Sequence, residues 1–278
     1  MPAERDPTTP LIEVLGTGNA FHPLGRMHAC LLLDGCILID APPTILPQLS
    51  RAGRSPADID HLLISHWHAD HVFGLPFLLL HRRYISDVEE MSRIRIHLRP
   101  GGPGRMTALC ETGFPGSLGE VIESRVEWCT AEASELGESG WSQQRFPVRH
   151  TPETDPHGYL LKHESGLTLL HCCDSGPCSS INERLDEADA VVVDMGVPDF
   201  VETDHHHRPA DIERLCLRYP TKMFLVTHSF AMDEAEEGGF EQPALPANAV
   251  QLRDGDRFQW SADRCLLEQL DRSAGSEK

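Results

Sequence analysis

Positive charge is scarce in this chain. Its 278 residues hold 24 lysines and arginines against 43 aspartates and glutamates, a formal net charge of −19. Such a field repels polyanions unless basic residues cluster locally, so a general nucleic-acid binder is disfavoured while a small anionic substrate stays open. No apolar run approaches the length of a bilayer span, and no membrane helix is expected. The opening residues, MPAERDPTTP, carry acids and prolines where a secretory leader needs a basic start and an apolar stretch; the expected location is cytoplasmic. The nine cysteines form no CxxC pair, which leaves reduced thiols packed in a core as the expected state. No GxSxG is present, so the serine-hydrolase elbow is excluded. Gly16 and Gly18 in GTGN lack the full spacing of a dinucleotide loop and fit a close backbone approach better.

What remains is an ordinary globular composition, 40% hydrophobic and 24% charged, with a length that suits one domain over 1–278. LIEVLG (11 to 16) reads as a strand, and ACLLLDG with CILIDA as a hairpin closed at Asp34-Gly35. A helix is expected over 43 to 53, a buried strand over 59 to 65, and a helix in GLPFLLLHRRY. RIRIHL (93 to 98) is a further strand, RPGGPGRMTALCE a loop feeding a short helix, and 111 to 143 carries no clear pattern. Strands follow at 144 to 150, 158 to 163 and 167 to 174, then a helix near 178 to 187 and a strand at 188 to 195. A helix over 209 to 219, a strand at 222 to 228 and late strands around 249 to 260 complete the pattern. The sum is an α/β chain whose halves could form two facing sheets with helices outside.

Within this pattern ISHWHADH, residues 64 to 71, follows a strand. Residues two apart in an extended segment face the same side, so His66 and His68 can reach one ion. Asp70 and His71 follow where the chain turns into a helix, which aims them at a second. With 16 histidines and 20 aspartates in the chain, HxHxDH arises by chance on the order of 10⁻⁵ per window. Four side chains from one loop cannot complete two ions, so further His or Asp should end later strands. His150, Asp174 and His228 do, each after an apolar strand and before turn-forming residues. Imidazole and carboxylate suit Zn²⁺, and also Mn²⁺ or Fe²⁺.

HWHADH together with His150, Asp174 and His228 resembles the metallo-β-lactamase superfamily. The GTGNA loop and the aspartate retained in HxHxDH are most similar to the branch of ribonuclease Z and small-molecule phosphodiesterases. The resemblance implies a four-layer αββα sandwich, with His66, His68 and His150 on one ion, Asp70, His71 and His228 on the other, and Asp174 bridging them. It implies a hydrolase attacking through a hydroxide between the metals, with Asp70 serving catalysis as well as binding. In the HHHRPADI stretch, His207 matches the histidine that assists the leaving group, because a helix start follows it. Asp40 is a candidate for orienting a ligand histidine, while His22, His28, His157 and Tyr159 are more at home in structural roles. Cys172 and Cys173 read as inert core thiols. Homodimers are common in this branch.

The arm that holds tRNA in ribonuclease Z is missing: residues 99 to 143 are modest in length and acidic. A small phosphodiester is therefore the first expectation, with Arg26, Arg105, Arg149 and Arg208 as phosphate-clamp candidates. Hydrolysis of an ester, thioester or lactone is the alternative, since the same centre serves both. Behind these stand a tRNA 3′ endonuclease and a non-catalytic metal-binding scaffold, the latter opposed by seven filled ligand positions.

Overall fold

The computed structural model describes residues 9–232 and 239–271. The first half of the chain builds β1 (Leu11–Gly16), β2 (Cys30–Leu33), β3 (Ile37–Ile39), α1 (Ile45–Arg51), β4 (His61–Leu63), α2 (Ala69–Val72), α3 (Leu75–His81), β5 (Ile94–His97), α4 (Gly102–Gly113), α5 (Gly119–Arg125) and β6 (Val126–Cys129). The second half builds β7 (Ala133–Glu135), β8 (Trp141–Pro147), β9 (His157–His163), β10 (Thr168–His171), α6 (Ser179–Asn182), β11 (Ala190–Asp194), α7 (Pro209–Arg218), β12 (Met223–Thr227) and β13 (Ala249–Gln251). A closing hairpin, β14 (Arg257–Ser261) and β15 (Leu266–Leu270), returns to the first sheet. The sheets run β15-β14-β1-β2-β3-β4-β5-β6 and β13-β12-β11-β10-β9-β8-β7.

Alternation along the strands explains the layering. Ala190 and Val192 of β11 join the apolar cluster between the sheets, while Val191 and Val193 join a second cluster outside the second sheet, beneath Ile212 and Cys216 of α7. Leu31 and Leu33 of β2 likewise face inward, and Leu32 faces a third cluster with Leu75, Leu78 and Leu79 of α3. Three apolar interfaces separate four layers, and strands covered on both faces read as continuous apolar runs. This is the αββα sandwich. Among the described residues, no helix is long and apolar enough to cross a membrane.

Several boundaries differ from the sequence reading. RPGGPGR does not stay a loop: α4 begins at Gly102, with Pro103 in its first turn, where the missing proline N–H costs nothing. The helix near 178 to 187 shrinks to the single turn of α6, followed by turns. Strands end earlier than their apolar character suggests, since β8 stops at Pro147 and β10 at His171. Cys173 then adopts φ +53°, which breaks the ladder. The featureless stretch 111 to 143 holds α5, β6 and β7. Of the first nine residues, expected to be loose from the sequence, 1–8 lie outside the described residues.

One buried pair ties stability to pH. His61 of β4 and His97 of β5 lie between the sheets, with Nδ1 of the first 3.0 Å from Nε2 of the second. Burial, reinforced by Arg95, lowers His61 to about 4; burial, reinforced by His61, Arg145 and Arg95, lowers His97 to about 3. Asp60 and Glu127 pull His61 the other way without prevailing. An unfolded histidine titrates near ~6.5, so as pH falls below that value the unfolded chain takes up protons the folded pair refuses. Stability present above pH ~6.5 is lost on the way down to about 4. Urea unfolding at neutral and mildly acidic pH should show that loss, with a shallower slope in His97→Gln. Parallel slopes in the two proteins would remove the pair from this role.

Candidate metal centre

Both sheets contain a run of parallel strands, β3 to β6 in one and β10 to β13 in the other. Loops leaving the carboxyl ends of such strands gather ligand-binding side chains at one edge. Asp40 follows β3, His66 follows β4, Asp174 and His228 follow β10 and β12, and Asp194 ends β11. His68 caps α2, whose single turn carries Asp70 and His71. His150 stands in the loop after β8.

The seven ligand candidates meet in two groups. His68 Nδ1 is 3.0 Å from both His66 Nε2 and His150 Nε2, and Asp174 Oδ2 lies 3.8 Å from His66 Nε2. In the second group, His71 Nε2 is 3.4 Å from Asp70 Oδ2 and 3.3 Å from Asp174 Oδ2, while His228 Nε2 is 3.4 and 3.1 Å from the same two oxygens. Asp174 belongs to both groups, and within each group the ligand atoms lie within 4.8 Å of one another.

Hydrogen bonds decide which nitrogen points inward. Asp40, held at φ +64°, accepts the Ser65 amide, the Ser65 hydroxyl (2.7 Å) and His71 Nδ1 (2.8 Å). With its proton on Nδ1, a neutral His71 presents a bare lone pair at Nε2, and that atom is buried without a hydrogen-bond partner. Two carboxylate oxygens face it. Lone pairs packed this closely repel unless a cation stands among them, and His and Asp donors in these groups fit divalent metal ions. The electrostatics show the same demand for positive charge at Nε2, which a proton can meet as well as an ion. Burial disfavours the charged form of His71, yet Asp174, Asp70 and Asp40 outweigh burial and raise its pKa. Burial opposes ionisation of Asp174 and Asp70, yet the neighbouring His71 and His228 hold both well below the usual carboxylate range. By contrast, burial lowers His66 and takes His150 down to about 4, keeping those rings neutral and free to coordinate.

Residues 36–229 match the model of the beta-lactamase superfamily domain. The chain belongs to the metallo-β-lactamase superfamily. Ribonuclease Z of Bradyrhizobium diazoefficiens is 32% identical over 164 residues, spanning 56% of this chain and 51% of that enzyme, about half its length. Ribonuclease Z of Pyrobaculum calidifontis is 24% identical over 251 residues, spanning 79% of this chain and 87% of that one. A crystal structure of a diphosphatase from the PhnP family superposes with a TM-score of 0.66 at 21% identity, covering 89% of this chain and 96% of that one. As a metallo-β-lactamase family hydrolase, the chain carries its His and Asp clusters at the edge where both sheets deliver their strand ends.

The histidine run behaves differently from its sequence reading. His207 is buried and donates from Nδ1 to Asp194 Oδ1 (3.0 Å), away from the two groups. His206 is the one that reaches them: its ring stacks on His228 at 5.4 Å and 13°, and meets His150 edge-on at 4.8 Å. Its Nδ1 donates to Asp194 Oδ2 at 2.7 Å. Burial opposes its charge, but the Asp194 bond and charge raise its pKa to about 9. A β-carbon on Gly196 would stand 2.4 Å from His206 Nδ1, so only glycine makes room for the ring. Asp194 ending an apolar strand was a signal for the aspartate, though not for which histidine turns inward.

Other candidates fall into structural places. Tyr159 is buried and donates to the Ile64 carbonyl at 2.8 Å, and His157 lies 3.3 Å from its hydroxyl. His28 contacts Thr44 Oγ1 at 3.3 Å, with the exposed His22 ring 4.9 Å away. Burial pushes the thiols of Cys172 and Cys173 well above the ordinary range, which makes them poor nucleophiles. Arg26 is buried, donating to Ala231 O, Thr17 Oγ1 and Leu252 O. Arg105 is exposed on α4, and Arg208 pairs with Asp211 at the start of α7. Arg149, next to His150, remains near the centre and lies 3.5 Å from Asp204.

Proposed function

We propose that this protein is a dinuclear phosphodiesterase for a small anionic diester, with His66, His68, His150 and Asp174 holding one divalent ion and Asp70, His71, Asp174 and His228 the other. Zinc is the first choice, manganese and iron being compatible with the same donors. The observation that carries the reading is Asp174 shared between two nests of inward nitrogens, beside a histidine that a second buried aspartate holds in place. When bound, the ions supply Lewis acidity to phosphoryl oxygens and acidify water.

The chain's own residues supply the rest. Asp40 fixes the tautomer of His71, and through Ser65 that of His66, whose Nδ1 lies 2.9 Å from the Ser65 hydroxyl. Asp70 stays ionised between His71 and His228, so it orients the attacking water by accepting a hydrogen bond rather than by removing a proton. His206, gripped at Nδ1 by Asp194, gives its Nε2 proton to the leaving oxygen. The net charge of −19 supports a small substrate over a nucleic acid.

A second reading, hydrolysis of an ester, thioester or lactone, is favoured by one observation: among the described residues, Arg26, Arg105 and Arg208 are turned to other uses or to solvent, leaving Arg149 alone beside the centre. Asn19 Nδ2 donates to Gly196 O (3.1 Å), joining two loops that carry the exposed Phe21 and Phe200. Metal-loaded protein should hydrolyse bis(p-nitrophenyl) phosphate, with Asp174→Ala as the control and an aryl ester and a lactone run in parallel. Turnover confined to the acyl substrates would replace the first reading with the second.

A further inference from the structure

The buried histidines of the two clusters differ in what holds the nitrogen turned away from the centre. His66 Nδ1 donates to Ser65 Oγ, His71 Nδ1 to Asp40, and His150 Nδ1 to the His205 carbonyl at 2.9 Å. Such outer bonds set the tautomer and the ring angle of a ligand histidine. His228 breaks the pattern. Its Nε2 faces Asp174 and Asp70, while its Nδ1 is buried with no partner in the protein. The adjacent Thr227 has a buried Oγ1 in the same condition. Both residues wall an internal cavity of about 20 Å³, together with Asp40, His71, His171 and Cys173.

A buried donor and a buried hydroxyl are rarely left unmade, and roughly 10–15 Å³ is enough space for one water where polar groups surround it. The cavity has the space, and Thr227, His228, Asp40 and His71 supply polar groups to a wall that Ala29, Leu31 and Ile39 otherwise make largely apolar. Cys173 does not serve His228: its sulfur lies beside His171 Nδ1 at 3.1 Å and makes no hydrogen bond with His228 Nδ1. His228 also sits at φ +49°, just beyond the end of β12, so its ring angle is not inherited from the strand ladder. Something outside the strand must hold it.

We infer that one ordered water occupies this cavity, accepts the Nδ1–H of His228 and bonds to Thr227 Oγ1, which makes Thr227 a positioning residue for the ligand histidine. The inference rests on the reading of His228 as a ligand. With the proton held on Nδ1 by the water, the lone pair of Nε2 points at the ion shared with Asp70, His71 and Asp174. Without the hydroxyl, the water loses a partner and the ring is free to tilt or to change tautomer.

The test compares the wild type with Thr227→Val and Thr227→Ser. Zinc affinities of the apo proteins are measured by chelator competition, and a high-resolution crystal structure of the wild type is examined at the cavity. Thr227→Val should weaken one of the two binding steps about tenfold and leave the other unchanged. Thr227→Ser should restore it, because the hydroxyl returns without the methyl. Density for a water within hydrogen-bonding distance of both atoms is expected. Wild-type affinities in Thr227→Val, failure of serine to restore binding, or a cavity without a water would each overturn the inference. A wild type that binds fewer than two zinc ions would instead overturn the dinuclear reading beneath it.

Discussion

Asp174→Ala protein reloaded with zinc is expected to hold fewer than two ions and to lose phosphodiester turnover by about a thousandfold. A loss of ~4 kcal/mol of transition-state stabilisation corresponds to that factor, and Lewis-acid contributions are of that size. The expectation follows from position: Asp174 Oδ2 is the oxygen approached by His66, His71 and His228 together, so its removal disturbs both groups at once. A change confined to one group should spare the other ion. His68→Ala, which touches the first group alone, is therefore expected to lose one ion and keep the second. Asp174→Asn guards against a folding artefact, because it keeps the shape while halving the acceptor capacity. Elemental analysis of the loaded proteins checks the result. Full occupancy in Asp174→Ala would show that the carboxylate is not shared.

His206→Ala should slow substrates with poor leaving groups by about a hundredfold or more and spare p-nitrophenyl esters of phosphate, since a positioned acid is worth most where the departing oxygen is basic. His207→Ala should behave differently. That ring is buried against the other oxygen of Asp194, so its loss should lower the unfolding midpoint without changing how rate depends on leaving group. Gly196→Ala should reproduce the His206→Ala pattern, because the new methyl takes the space of the His206 ring. Rates for a series of aryl phosphodiesters give the comparison directly. Equal losses across the series in His206→Ala would deny the ring its role as proton donor.

Much of the centre was legible in the sequence because its chemistry is local or falls at strand ends. HWHADH is contiguous, and Asp174 and His228 follow apolar strands whose burial on both faces makes them easy to see. The exact strand ends were not legible. β8 stops three residues short of His150, where its partner strand begins at His157, and β10 stops three short of Asp174, where the backbone turns at Cys173. The choice between His206 and His207 was also out of reach, since three consecutive histidines carry no periodicity. Which ring faces the centre is settled by Asp194 binding both and by the space above Gly196, contacts made across the fold. Arg26 failed as a clamp candidate for a related reason: it lies in a loop by sequence yet is buried and braces Thr17, Ala231 and Leu252.

The most direct measurement is anomalous diffraction from crystals of the zinc-loaded protein, collected on both sides of the zinc edge. Two peaks are expected at the edge of the sandwich, one among His66, His68 and His150 and the other among Asp70, His71 and His228, with Asp174 bonded to both. A single peak, or zinc bound away from Asp174, would contradict the account.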